Sequence, residues 1–381
     1  MIKNTIVHRV VYVDNIRSFV ILLVVSMHSA VCYSGLGGWY YIEGAMEKLS
    51  TVELVVFALY QSYLQAWFMG MLFFISGYFA AGSFQKRGAS GFIKERLFRL
   101  GLPLLLYMAV ITPFINFVLL GNGISGGSPG IGFVFYLFLD WLGATGPLWF
   151  NEALIIFCLF FVLFRRREKP VLPGSPNKSF PGKLRIVLLI LCTGIAAFLI
   201  RLVFPIGTDI MNLQFCYFAS YIVLFALGTK AGEHGWLPQI SKTGKIWFIL
   251  ALALGIPLWF IIMIFGGALD GNILISGGLY WQSAAFALWE SFVAISFSLG
   301  LLWLFFQYVN FENSFTRFAA ANSFGVYMLH PPVLIAVSLL LRHWDASAPL
   351  KFLVVTPLAI ALSFCLSALV RLIPQARVII R

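Results

Sequence analysis

Asp14-Asn15-Ile16-Arg17-Ser18-Phe19-Val20-Ile21-Leu22-Leu23-Val24-Val25-Ser26-Met27-His28 sets three ionisable side chains into a run that is otherwise almost wholly apolar. On an α-helix, the eleven steps from Arg17 to His28 make roughly three full turns at about 100° each, so both side chains leave one face. Asp14 lies one turn before Arg17, close to the same face. At about 1.5 Å of rise per residue, His28 sits roughly 16 Å beyond Arg17. That is around or past the middle of a hydrocarbon core about 30 Å thick. Ionisable groups are costly at such depth and mark a functional site by default. The plainer reading is a histidine hydrogen-bonded to a neighbouring helix, with Arg17 snorkelling to headgroups; the face shared with Asp14 favours function.

Composition makes the surroundings of this helix a bilayer. The 381 residues are 61% hydrophobic and 10% charged, with a mean hydropathy of +0.93. These values exclude an ordinary soluble domain and leave room for about ten spans with short loops. Spans are expected near 16–36, 62–84, 98–120, 146–164, 184–204, 212–230, 245–266, 284–308, 322–342 and 350–373. The expected fold is therefore all-α, a polytopic bundle of about ten transmembrane helices. The net charge of +12 suggests nucleic acid in a soluble chain; here the charges sit in loops that alternate with apolar segments. All 26 Lys and Arg except Lys48, Arg201, Arg342 and Lys351 then fall on one side. That asymmetry predicts both termini in the cytoplasm and an even number of spans.

No short apolar core followed by a cleavage site opens the chain, so the first apolar segment is expected to remain as a span. The chain reads as one membrane domain over 1–381, with its core at 14–374 and no soluble domain. Residues 121–133 read as an external connector and 170–181 as a cytoplasmic one. Cys32, Cys158, Cys192, Cys216 and Cys365 stand singly in apolar runs, without metal-ligand or disulfide spacing, and read as small core residues. No metal site is expected, and no internal repeat is evident.

Further candidates lie along the chain. In Phe73-Phe74-Ile75-Ser76-Gly77-Tyr78, the small pair Ser76-Gly77 permits close approach by a helix or a ligand. Arg96 and Arg99 stand one turn apart at the start of the third span, so their guanidinium forks present together and suit phosphates; the bland alternative is a positive-inside flank. Glu152, in Trp149-Phe150-Asn151-Glu152, enters from the outside to a depth similar to that of His28. Glu290 lies at a similar depth in the eighth span. Either carboxylate is a partner for His28 or a neutral group hydrogen-bonded in the bundle. His330, before Pro331 and Pro332, reads equally as a functional residue or as part of a kink.

In order, Arg17 with His28, Phe73-Phe74-Ile75-Ser76-Gly77-Tyr78, Arg96-x-x-Arg99 with Pro103, Leu148-Trp149-Phe150 and Tyr327-x-x-His330 resemble the marks of the acyltransferase-3 family of membrane acyltransferases. The resemblance runs from about Asp14 to about Pro374. Tyr12-Val13-Asp14-Asn15-Ile16-Arg17, Ile75-Ser76-Gly77-Tyr78-Phe79 and Arg371-Leu372-Ile373-Pro374 look most like its branch of periplasmic-glucan succinyltransferases. Two departures stand out: Pro147 replaces a histidine frequent at the fourth-span motif, and no extracellular hydrolase-like domain follows the tenth span. The second implies delivery of the acyl group directly to the final acceptor or to a partner protein.

The resemblance implies transfer of an acyl group, acetyl or succinyl, from cytoplasmic acyl-CoA to a hydroxyl of an extracytoplasmic glycan. The expected catalytic set is His28, Arg17, Asp14 and Glu152, with Trp149, Glu290, Tyr327 and His330 as further candidates. His28 is expected as general base or as acyl carrier, and Arg17 as oxyanion partner if the thioester reaches its level. Arg96 and Arg99 would hold the CoA phosphates, and Ser76 and Gly77 would line the pantetheine path. Acetyl-CoA or succinyl-CoA is expected as donor substrate, with no permanently bound cofactor. The expected partners are the bilayer and the glycan, not nucleic acid; a homo-oligomer is left open. The expected location is the inner membrane of a bacterium. The competing class is a glycan or lipid transporter or flippase, whose intramembrane charges would line a route.

Overall fold

The computed structural model describes residues 10–121, 141–165, 179–271 and 273–379. Among the described residues, regular structure is helical throughout, with a single isolated bridge between Ile210 and Leu213. Nine stretches are long and apolar enough to cross a membrane. One of them, Thr51–Leu119, has 69 residues, about 100 Å if straight and more than three times the hydrocarbon thickness. It is not straight. Gly88 adopts φ 68°, ψ 176°, a conformation open to glycine and strained for other residues. The chain doubles back there: Ser83 Oγ donates to Glu95 at 2.9 Å, and Phe84 meets Phe92 edge-on, with ring centroids 5.9 Å apart. Twelve helical steps would separate Ser83 from Glu95 by about 18 Å. The stretch is thus a helical hairpin, so the described residues supply a helix at each of the ten places where a span is expected.

We label the spans α1 (Val11–Ser34), α2 (51–87), α3 (89–119), α4 (Trp149–Arg165), α5 (Lys183–Arg201), α6 (Phe218–His234), α7 (Leu237–Phe265), α8 (Trp281–Tyr308), α9 (Ser314–Leu340) and α10 (Ala348–Val370). Their ends follow local chemistry. Ser50 and Glu53 form a reciprocal capping box at the start of α2, as do Asn313 and Thr316 at α9, while Gly35 and Gly235 close α1 and α6 in the left-handed conformation. α8 and α9 begin earlier than hydropathy indicates, because their first turns are mixed in polarity.

Burial sorts the helices into two rings. The apolar window of α8 is 78% buried and that of α1 and α9 61%, against 28% for α5, α7 and α10. Large apolar side chains such as Leu184 and Leu353 stay exposed on the outer ring, where lipid rather than protein is their solvent. Cys192 and Cys365 also lie exposed on it, which corrects their expected core placement; Cys32, Cys158 and Cys216 are buried.

Polar ties hold helices to one another, since apolar burial gives little drive once helices are already in lipid. Asn15 Nδ2 donates to the carbonyls of Val309 and Phe311 at 2.8 and 3.1 Å. Thr356 Oγ1 donates to Ser29 Oγ at 2.9 Å, and Gln61 Nε2 to Ser34 Oγ at 2.7 Å. α2 and α6 approach at three glycines: a Cβ on Gly77, Gly228 or Gly232 would lie 2.2, 2.1 or 2.4 Å from a carbonyl oxygen of the facing helix.

Three of the four cations expected on the sparsely charged side are engaged by side chains there. Arg201 is wholly buried against Glu290, Lys351 pairs with Glu43, and Arg342 Nε donates to His343 Nε2. Lys48 lies in a short 3-10 turn between α1 and α2. The expected connectors at 121–133 and 170–181 fall almost wholly outside the described residues.

Candidate active site

α9 carries an unusual pair of prolines inside a helix. Pro331 has no N–H, so the carbonyl of Tyr327, four residues earlier, loses its helical partner. His330 Nδ1 replaces it, donating to that carbonyl at 2.8 Å. A protonated Nδ1 leaves His330 Nε2 as an acceptor. The hydrogen on the 2.9 Å contact between His28 Nδ1 and His330 Nε2 therefore belongs to His28. His28 Nε2 is left with a lone pair, the state a general base requires. Trp39, from the connector after α1, stacks on the His28 ring at 3.8 Å and 14°, which fixes the plane of the imidazole.

His28 lines a cavity of about 430 Å³ that opens on the Lys/Arg-poor side, among the connectors after α1, α5 and α7. Trp149, Tyr327, Glu290, Gln61 and Gln65 share its lining. A second cavity, of about 230 Å³, lies toward the Lys/Arg-rich side and is lined by Arg17, Ser76, Arg96 and Arg99. Tyr327 belongs to both walls, and its hydroxyl donates to the carbonyl of Pro147, itself part of the first cavity. One tyrosine on α9, latched to the entrance of α4, thus separates the two chambers.

Arg17 and Asp14 pair at 3.2 Å. Their helix places Arg17 in the second chamber and His28 in the first, so the shared face spans both rather than forming one cluster. Arg96 lies over the Phe92 ring at 5.0 Å, and its Nε is buried without a hydrogen bond. Glu95 holds Arg99 at 3.3 Å and also Arg87. Gly77 lines neither cavity; it lets α6 approach. Glu152 lines neither, and its Oε2 is buried without a partner. Glu290 does line the first cavity, paired with Arg201 rather than with His28.

Sequence reasoning missed Trp39, Arg201 and Glu95. Trp39 carried a faint signal, an aromatic-rich loop after the first span. Arg201 stood out only as an exception to the charge asymmetry, and Glu95 was hidden among basic neighbours. Next to Trp39, Tyr40 lies on the same connector and hydrogen-bonds Tyr107 at 3.2 Å; burial pushes its phenol pKa up from the usual value.

Among the described residues, no group of three or more His, Cys, Asp or Glu is placed to hold a metal ion. A family model described as an acyltransferase domain matches residues 10–370. A curated protein of Shigella dysenteriae serotype 1 named "Glucans biosynthesis protein C" is 24% identical over 333 residues, covering 84% of this chain and 81% of its own length. Proteins of the same name from Escherichia coli K12 match with the same identity and coverage. No solved structure matches the chain.

Proposed function

Because the chain belongs to the acyltransferase-3 family of membrane acyltransferases, we propose that it moves an acyl group, acetyl or succinyl, from cytoplasmic acyl-CoA to a hydroxyl of an extracytoplasmic glycan. The observation that carries this reading is the pair of chambers meeting at Tyr327, with an oriented imidazole in one and three arginines in the other. The name of the curated relatives points to a glucan as acceptor. Family membership favours acyl transfer over a transporter or flippase.

In this mechanism Arg17, Arg96 and Arg99 hold the phosphates of CoA through charge-assisted hydrogen bonds. The acyl-pantetheine arm, about 15–20 Å when extended, passes Ser76 and Tyr327 toward His28. An acceptor hydroxyl in the other chamber gives its proton to His28 Nε2 as its oxygen attacks the thioester carbonyl. The tetrahedral adduct then collapses with cleavage of the C–S bond. The departing thiolate recovers the proton from His28, leaving an ester and free CoA. His28 keeps its Nδ1–H on His330 throughout, so the ring neither rotates nor changes tautomer between the two transfers. Asp14 positions Arg17. We place Gly77 in helix packing and give Glu152 no step.

The test is a sided assay with purified protein in oriented vesicles. Acyl-CoA on the face bearing the Arg96–Arg99 connector and glycan on the other should yield acylated glycan and free CoA. Product only when both substrates share the arginine face would sink the mechanism; no acyl-CoA turnover at all would return the transporter reading.

A further inference from the structure

The chamber of His28 has an uneven charge distribution. Among the described residues its lining includes two carboxylates, Asp209 and Glu290, and neither lysine nor arginine. Both carboxylates are held by built contacts. Glu290 is 3% exposed, on the inner-ring helix α8, and the Arg201 guanidinium meets its Oε2 at 2.5 Å. Arg201 does not line the chamber; it lies over the faces of Tyr217 and Phe286, each 5.7 Å from the ring centroid. Both rings do line the chamber, so they stand between the guanidinium and the space where a ligand would lie. The pair is therefore a dipole with its negative end toward the ligand.

Asp209 sits in the connector after α5. Its Oδ1 accepts the Asn212 backbone N–H at 3.1 Å, and Met211 and Asn212 both take positive φ, 54° and 64°. Two such residues in succession are strained, and strain persists only where surrounding contacts over-determine it. Here Asn212 Nδ2 donates to Thr145 Oγ1 at 3.0 Å and to the Gly146 carbonyl at 2.8 Å. The loop that carries Asp209 is fastened beside the Pro147 that latches Tyr327.

We propose that this chamber selects neutral glycans and rejects anionic ones, with Glu290, backed by Arg201, as an anchor that accepts acceptor hydroxyls and Asp209 as a second acidic group at the rim. The proposal rests on the acyl-transfer reading above and names the acceptor class for that same site. Carboxylates accept charge-assisted hydrogen bonds from sugar hydroxyls. A sugar bearing a phosphate or carboxylate would meet carboxylate oxygens in a partly desolvated site whose described lining offers no cation to receive it, and such like-charge juxtaposition is an efficient source of specificity. Acylation by this protein must then precede any reaction that adds anionic substituents to the same sugar unit. If the acyl group itself ends in a carboxylate, the product is repelled from the site that made it.

The experiment compares two glucan oligosaccharides of equal length as acceptors, one neutral and one oxidised to carry a carboxylate at C6, with the purified protein in nanodiscs and one acyl-CoA. The expected kcat/KM is at least about tenfold lower for the anionic acceptor, since a tenfold ratio needs only a modest differential interaction. Glu290→Gln alone would strand a buried guanidinium, so the pair is neutralised together as Arg201→Met with Glu290→Gln, alongside the exposed-loop variant Asp209→Asn. Both should raise KM for the neutral acceptor, narrow the neutral-to-anionic ratio and leave KM for acyl-CoA unchanged. Equal kcat/KM for the two acceptors with the wild type would overturn the proposal, as would a ratio unmoved in both variants. Transfer to neither glycan would instead overturn the acyl-transfer reading, and this proposal with it.

Discussion

At the scale of single residues, the chemistry depends on where one proton sits. The missing N–H of Pro331 frees the Tyr327 carbonyl, His330 takes it, and the chain of hydrogen bonds leaves His28 Nε2 unprotonated. We expect His28→Ala to fold and insert normally but to lower turnover by a factor on the order of 10² or more, the scale for losing a general acid–base group. Near-normal turnover of a well-folded variant at saturating donor and acceptor would refute the assignment. His330→Ala should act differently. It removes an orienting partner, so kcat should fall by roughly 10- to 100-fold, while donor affinity stays unchanged because His330 lines neither chamber. A rise in donor KM with kcat preserved would move His330 to a purely structural role. For the second chamber, Arg96→Ala and Arg99→Ala should each cost about 1.5–3 kcal/mol of donor binding, read as a right-shifted acyl-CoA titration. Arg99 should lose less, because Glu95 already engages it. Unchanged titrations for both would reduce the pair to a topology signal.

At the scale of helices, α2 and α6 approach closely, and glycine makes it so. The Ser76-Gly77 pair divides its work: Ser76 faces the arginine chamber, whereas Gly77 meets the Phe225 carbonyl across the helix interface. From spacing alone a small residue in a membrane helix reads as packing or as ligand access, and neighbouring small residues here serve one purpose each. Gly228→Leu would place a Cβ 2.1 Å from the Phe74 carbonyl oxygen. Backbone has to move to admit it, so we expect a loss of about 1–3 kcal/mol or more, measured as a lowered melting temperature in detergent. Gly82→Ala is the control: nothing lies within 4 Å of its Cβ position, and its melting temperature should not fall. The reverse ranking would show that α2 and α6 are not packed this way. The helical hairpin at Gly88 follows the same logic, a glycine used for a backbone angle that other residues avoid.

At the scale of the whole molecule, two chambers face opposite sides of one bundle, and the asymmetry of Lys and Arg predicts which side is which. Reporter fusions at Met1 and at Arg381 should both read cytoplasmic, and a fusion in the connector at 35–50 should read external. A terminus on the external side would break the even count of spans and invert the direction of transfer. Much of this was legible in the chain itself. The all-α membrane fold, the places of the long apolar helices and the closeness of Arg96 and Arg99 follow from apolar run length, helical periodicity and loop charge, which are local properties set by hydrocarbon thickness and by the turn angle of a helix. Tertiary structure alone decided which groups face one another. Equal depth in the bilayer made Glu152 and Glu290 look like equivalent partners for His28, but depth does not set azimuth. His28 meets His330 instead, 302 residues away in sequence, and Glu290 meets Arg201, because each helix can turn its polar face only toward neighbours that satisfy it where no water is available to do so.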